Sequence, residues 1–200
     1  MNRRNILLGG TAALLAGCGR WEVDYSEGLD PAITKNWTLH GVNFTVPEDL
    51  TVSNDNTLAP SAEIVWHGEP LGDRKAQVAR IMEDGIRQGG SVLPGTQHVT
   101  IVSRLKHFHA VTPAAVARSP AAVHNIAYRI QVFDSRTAEP LTEAQNIQAD
   151  LEAFVGQSAV VAELQGQGQR FRIVNHVARV TAGWLGVGDD QRREFSSIGR

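Results

Sequence analysis

The sequence contains little cysteine, few aromatic residues and no long apolar run. It holds one cysteine in 200 residues, so no disulfide can form within the chain and the fold depends on its apolar core. Aromatic residues make up 6%, and 19 basic side chains stand against 21 acidic ones. The lack of a basic excess argues against nucleic acid as a partner. The apolar stretch 6–16 is too short to span a bilayer, which needs about 20 residues.

The first 17 residues have the pattern of a secretory signal peptide. Arg3 and Arg4 give a positive start, the apolar stretch follows, and small residues precede the cysteine. Leu15-Ala16-Gly17-Cys18 resembles the bacterial lipobox, in which the thiol is joined to diacylglycerol and the chain is cut between the glycine and the cysteine. Two or three acyl chains hold a protein firmly to a membrane. An ordinary signal peptide that happens to contain a cysteine is the alternative.

Two features of this segment bear on export and destination. The run Arg3-Arg4-Asn5-Ile6-Leu7 resembles a twin-arginine signal, but ordinary Sec signals also carry paired arginines, so both routes stay open. Gly19 follows Cys18, where enteric lipoproteins retained at the inner membrane carry Asp. We therefore expect an anchor at the periplasmic face of the outer membrane, with the inner membrane as the alternative.

Four segments follow from this interpretation. Residues 1–17 are a cleaved signal, 18–36 a lipidated tether, 37–186 a single α+β periplasmic domain, and 187–200 a disordered tail. Cleavage leaves 183 of the 200 residues and removes Arg3 and Arg4, so the formal net charge falls from −2 to −4. A chain of this length can bury one core without disulfides.

Hydrophobic periodicity predicts the elements of the domain. Alternating apolar residues indicate strands at 42–46, 64–66, 98–111, 124–133 and 147–151. An apolar stripe predicts a helix over 73–88, capped by Asp73, and a second stripe predicts a closing helix over 171–185. The proline-containing segment between the two long strands is expected to be a loop. The order β-β-α-β-β-β-α predicts a two-layer α+β sandwich, with a mainly antiparallel sheet and two amphipathic helices on one face.

Three segments carry a resemblance to a family. The chain resembles small predicted lipoproteins of alphaproteobacteria with a domain of unknown function. The segments that carry this resemblance are the lipobox, AEIVWHGEPLGDRKAQVARIMEDGI at 62–86 and NHVARVTAGWLG at 175–186. The layout also resembles, at the level of fold, periplasmic accessory lipoproteins of envelope transport and assembly systems, which brace a partner. The resemblance implies an anchored envelope protein and supplies no catalytic or binding residues.

Histidines form one candidate metal site. His107 and His109 lie two residues apart on one predicted strand, so their side chains should share a face, and His124 begins the next strand. In an antiparallel hairpin the three imidazoles could meet and hold Zn²⁺ or Cu²⁺. The alternative is that these histidines line the end of a strand and bind nothing. We expect no other cofactor.

Other motifs are weak. Gly166-x-Gly168 lacks the third glycine of a dinucleotide fingerprint, and Ser158 lacks the second glycine of a nucleophile elbow. The start of the helix at Asp73 could attract an anion, but an ordinary cap explains it equally well. We therefore expect a non-enzymatic protein that binds another envelope protein or complex. A periplasmic metal-binding protein is the alternative, and a hydrolase is the least favoured.

Overall fold

The computed structural model describes residues 21–192 and 196–197. The predicted signal peptide, with Arg3, Arg4 and Gly17, and the predicted lipidation residue Cys18 lie outside the described residues. Among the helices within them, none combines the length and the apolar character needed to cross a membrane.

Strands and helices alternate along the described chain. The strands are β1 (Trp21–Tyr25), β2 (Trp37–Thr45), β3 (Val52–Ser53), β4 (Ile64–Val65), β5 (Gln97–His109), β6 (Ala122–Asp134), β7 (Gln145–Ala149), β8 (Leu151–Ala153) and β9 (Ser196–Ser197). The helices are α1 (Pro31–Thr34), α2 (Arg74–Gly90), α3 (Pro113–Arg118), α4 (Gly156–Leu164) and α5 (Gln169–Trp184).

The described strands form one open, mixed sheet. The long strands β5 and β6 make its antiparallel centre, and β7, β1 and β9 continue it in antiparallel fashion on one side. β8 also pairs antiparallel with the beginning of β6. On the other side β2 and β4 pair parallel with β5, and β3 pairs parallel with β4. The prediction of an α+β fold with a mainly antiparallel sheet is therefore confirmed.

Two helices cover one face of the sheet and complete the core. The Asp73 carboxylate caps α2, as predicted, by accepting the Ala76 N–H at 3.0 Å. The apolar stripes of α2 and α5 join the inward-facing residues of the strands in one cluster. Trp66 and Trp184 are both fully buried in this cluster. The apolar stripe of each helix is thus the side that packs on the sheet, and most of the polar residues reach solvent.

Two glycines let α2 and α5 lie close together. A Cβ added at Gly85 would come within 2.7 Å of the Val177 Cβ, and one at Gly89 would overlap the carbonyl oxygen of Ala178. Gly85 and Gly89 lie one turn apart on the same side of α2, so this side of the helix has no side chain at these two contacts with α5. The approach of the two helices depends on this absence of side chains.

The domain includes parts of the expected tether and tail. Within 18–36, β1 joins the sheet and buries Val23 and Tyr25, so residues from 21 onward belong to the fold. Within 187–200, the Asp190 carboxylate accepts the Tyr25 hydroxyl at 2.7 Å, and Gln191 is buried. The low periodicity of these segments concealed contacts that are made over long distances in sequence.

The expected loop between the long strands contains α3. Proline is tolerated here because Pro113 occupies the first turn, where its missing N–H has no partner to lose. The Thr112 hydroxyl caps the helix by accepting the Ala115 N–H at 3.1 Å.

Candidate functional site

The predicted histidine cluster does not form, because a β-bulge reverses the side-chain alternation of β5. The register of β5 against β6 shifts between Leu105 and His107. After the shift Phe108 is fully buried, whereas His107 and His109 lie half-buried on the opposite face. His124 is fully buried on the helix-covered side. Among the residues that the structure describes, no three His, Cys, Asp or Glu side chains are placed to hold a metal ion together.

The two β5 histidines have separate surroundings. The His109 ring contacts the backbone carbonyl of Ala62. Burial lowers the pKa of His107, while the nearby charge of Asp150 and contact with Asn125 oppose this shift. The two rings thus contact different residues, Ala62 for His109 and Asn125 for His107.

A second pair of histidines lies in the core, and sequence inspection did not connect them. Burial lowers the pKa of His124 to about 3 and that of His176 to about 4, with Arg172 adding to both shifts. The His124 Nδ1 accepts the Val111 N–H at 3.3 Å, so this nitrogen is unprotonated. The Nε2 atoms of both rings have no hydrogen-bond partner among the described residues. Both imidazoles are therefore neutral in the folded protein.

Asp150 is a buried carboxylate that ties three strands together. It accepts the backbone N–H of Glu22 at 3.0 Å and that of Ile126 at 3.2 Å. The side-chain amides of Asn125 and Gln148 each donate to it at 2.7 Å. Four donors satisfy this buried charge, so its role is to fix β1 and β6 at the junction of β7 and β8.

One polar cavity of about 580 Å³ lies where α5 begins. His67, Glu163, Gln169 and Arg170 line it. The Arg170 guanidinium is held by carboxylates of the protein itself, at 3.2 Å from a Glu69 oxygen and 2.6 Å from an Asp84 oxygen. The positive charge at this cavity is thus already balanced within the domain.

The sheet face opposite α2 and α5 carries a different distribution of charge. Four strands contribute one row of neighbouring residues across this face. Arg104 on β5 lies between Thr45 on β2 and Arg129 on β6. Arg129 in turn lies beside Asn146 on β7. All four side chains are exposed. With a strand spacing of about 4.8 Å, the row is about 14 Å wide. We call this surface, together with Lys106, the open face.

The two arginines of the open face stand directly opposite each other. Like charges at opposed positions destabilise a strand pair. Within the described part of the chain, Arg104, Arg129 and Lys106 form no ion pair or side-chain hydrogen bond. A shallow groove of about 120 Å³ runs beside the arginines and is also lined by Val102 and Phe133. The open face therefore combines unneutralised positive charge with apolar surface, which is what an acidic segment with apolar side chains would contact.

Alternation along β5 and β6 puts Arg104 and Arg129 on the solvent side of the sheet, but only the register between the two strands sets them opposite each other. A small α+β domain with helices on one side of its sheet and a basic open face on the other is the class that these observations define. The chain belongs to DUF6778, a family of unknown function whose model matches residues 37–200. No curated protein matches the chain.

Several solved structures are similar to the chain at low sequence identity. A single-substitution variant of the PelC dodecamer from Paraburkholderia phytofirmans has 10% identity and a TM-score of 0.34, covering 78% of this chain and 95% of that one. Protein XCC0632 from Xanthomonas campestris, of the DUF330 family model, has 11% identity and a TM-score of 0.45, with coverages of 80% and 88%. A "putative lipoprotein" from Caulobacter crescentus CB15 has 10% identity and a TM-score of 0.35, with coverages of 62% and 89%. Similarities of this size say nothing about what the chain binds or does.

Proposed function

We propose that the chain is a non-enzymatic binding protein of the bacterial envelope. A lipid on Cys18 holds it at the periplasmic face of the outer membrane, and the open face binds an acidic segment of another envelope protein. The lipobox-like Leu15-Ala16-Gly17-Cys18 supports the anchor. The observation that carries the binding role is the opposed pair Arg104 and Arg129, which weakens the sheet and so calls for a compensating partner.

The anchor is tested by metabolic labelling with a fatty acid in a bacterial host. The full chain is expected to carry the label and to float with membranes, whereas Cys18→Ala should lose both properties. Separation of the two membranes by density then distinguishes the outer from the inner membrane. A mature protein with a free Cys18 thiol would refute the anchor.

The open face is tested by chemical cross-linking in intact envelopes of a cell that contains the natural partner. The double variant Arg104→Glu with Arg129→Glu should lose the cross-linked product, and the product should also weaken as salt is raised. Arg87→Glu with Arg179→Glu is the matched control, since it reverses two exposed arginines of the helical layer and changes net charge equally. Equal capture by both double variants would refute the assignment of the open face.

A further inference from the structure

The short helix α4 leaves apolar side chains in solvent. Val160 is 58% exposed and Leu164 is 84% exposed, and Val161 and Phe154 beside them are exposed too. We call these four residues the α4 patch. Of the nine residues of α4, only Ala162 is buried. A helix this short is marginal by itself in water, so its apolar outer side indicates a surface that covers it.

The α4 patch lies at the end of the domain where α5 begins. The Arg172 guanidinium, in the first turn of α5, lies 3.6 Å from the centre of the Phe154 ring and donates to the Glu152 carbonyl at 2.7 Å. A groove of about 280 Å³ runs between Phe154, Val160 and Arg172. The patch is thus fixed to the beginning of α5.

The chain enters the domain at this same end. The far end of β1 lies near the end of α5, since the Leu29 N–H donates to the Trp184 carbonyl at 2.7 Å. The beginning of β1 therefore points back toward the start of α5. There the backbones of Glu22 and Asp150 are paired, and the chain continues from Asp150 through β8 to Phe154. Four residues span at most about 13 Å, so Phe154 of the α4 patch lies within about that distance of Asp150.

We infer that the α4 patch lies in the interface of the lipid bilayer that holds the anchor. This inference rests on the proposed lipidation of Cys18. Cys18 is three residues before Trp21, and three residues span at most about 11 Å. An acylated Cys18 would therefore bring the membrane surface to the end of the domain that carries the α4 patch.

The chemistry of the α4 patch suits a lipid interface. Apolar side chains enter the boundary between headgroups and acyl chains, while the Arg172 guanidinium beside Phe154 can contact lipid phosphate. Because the patch lies at one end of the sheet rather than on a face, docking would leave Arg104 and Arg129 accessible to the periplasm. The patch thus orients the domain, and the open face remains free for a partner.

Fluorescence quenching in vesicles tests this orientation. The full-length, lipidated chain is purified with a single added cysteine, labelled with a small environment-sensitive fluorophore, and reconstituted into phosphatidylethanolamine–phosphatidylglycerol vesicles whose acyl chains carry bromine. Val160→Cys reports on the α4 patch. Val92→Cys is the matched control, because Val92 is 55% exposed and directly follows the end of α2, where Gly89 packs against Thr181 near the end of α5 and thus away from the α4 patch. Leu164→Cys and Ile33→Cys, which is in α1, repeat the comparison with a second pair.

The labels at Val160 and Leu164 are expected to lose most of their fluorescence, since an interfacial helix lies about 5–10 Å deep. Those at Val92 and Ile33 should keep theirs. Equal quenching at both ends, or none in protein that floats with the vesicles, would refute the membrane contact and leave the anchor intact. Concentration-dependent shielding of Val160 without vesicles would assign the patch to a second copy and also refute it. Protein that carries no lipid and does not float would refute the anchor, and the inference would fail with it.

Discussion

The buried histidines predict a steep loss of stability in mild acid. In the unfolded chain an imidazole takes up a proton with a pKa of about 6.5. In the folded chain the pKa of His124 is about 3 and that of His176 about 4, because burial disfavours the charged ring. Between these values the unfolded state binds more protons than the folded state. The free energy of unfolding therefore falls as the pH is lowered through 6.5 toward 4.

The size of the loss follows from the same pKa values. At pH 5 each ring contributes about 2 kcal/mol of destabilisation relative to pH 7.5, so the pair contributes about 4 kcal/mol. This is a large part of the about 5–15 kcal/mol that stabilises an ordinary domain. Burial also lowers the pKa of His67 and His107, which acts in the same direction. Carboxylates such as Asp134, whose pKa is about 2, contribute little in this window because they stay ionised in both states.

Urea denaturation at pH 7.5 and pH 5 measures this loss. Trp66 and Trp184 are fully buried, so tryptophan fluorescence reports unfolding of the core. His124→Gln and His176→Gln should each reduce the difference between the two pH values by about 2 kcal/mol, whatever they do to absolute stability. His98→Gln, at an exposed position, should leave it unchanged. A total loss below about 1 kcal/mol, or the same loss in all three variants, would contradict the neutral buried pair.

Three further substitutions test the packing, the buried carboxylate and the open face by the same denaturation measurement. Gly89→Ala should lower the free energy of unfolding by about 1–3 kcal/mol, because the added methyl group pushes α2 away from α5. Gly41→Ala should lower it little, because a Cβ there makes only ordinary van der Waals contacts. Equal effects of the two substitutions would contradict the close approach of the helices. Asp150→Asn should lower the free energy of unfolding by about 3 kcal/mol, because the new amide N–H₂ would face the N–H donors that the carboxylate now accepts. The exposed Asp49→Asn should leave it unchanged. A small effect of Asp150→Asn would rule out the role of Asp150 in tying the strands together. Arg104→Glu should raise the free energy of unfolding by about 0.5 kcal/mol, because the new carboxylate would pair with Arg129 on the neighbouring strand. A lower free energy of unfolding would count against repulsion between the two arginines.

Elements with a strong period could be predicted from the sequence. The helix predicted over 73–88 is α2, and the one predicted over 171–185 is α5, because each buries one stripe and leaves the rest in solvent. The two long central strands were also predicted, since one face of each is buried. Helix α4 was missed because its side chains are apolar on the exposed side, so no amphipathic pattern marks it.

The candidate site depended on register, which the sequence does not display. One extra residue in β5 moves His107 and His109 to the face opposite His124 and abolishes the predicted cluster. The same pairing sets Arg104 against Arg129, although alternation alone predicts only that each faces solvent. The parallel pairing of β2 with β5 likewise joins segments that are separated by α2.

The way in which β1 joins the sheet determines how the domain would bear a pulling force. Antiparallel hydrogen bonds lie perpendicular to the strands, so tension applied at Trp21 along β1 stretches its bonds to β7 together rather than one after another. The Asp150 contact to the Glu22 N–H shares that load at the point of entry. An arrangement loaded in shear withstands more force than one that opens from its end. With the proposed lipid on Cys18, the domain would therefore stay folded while the proposed partner pulls it away from the membrane.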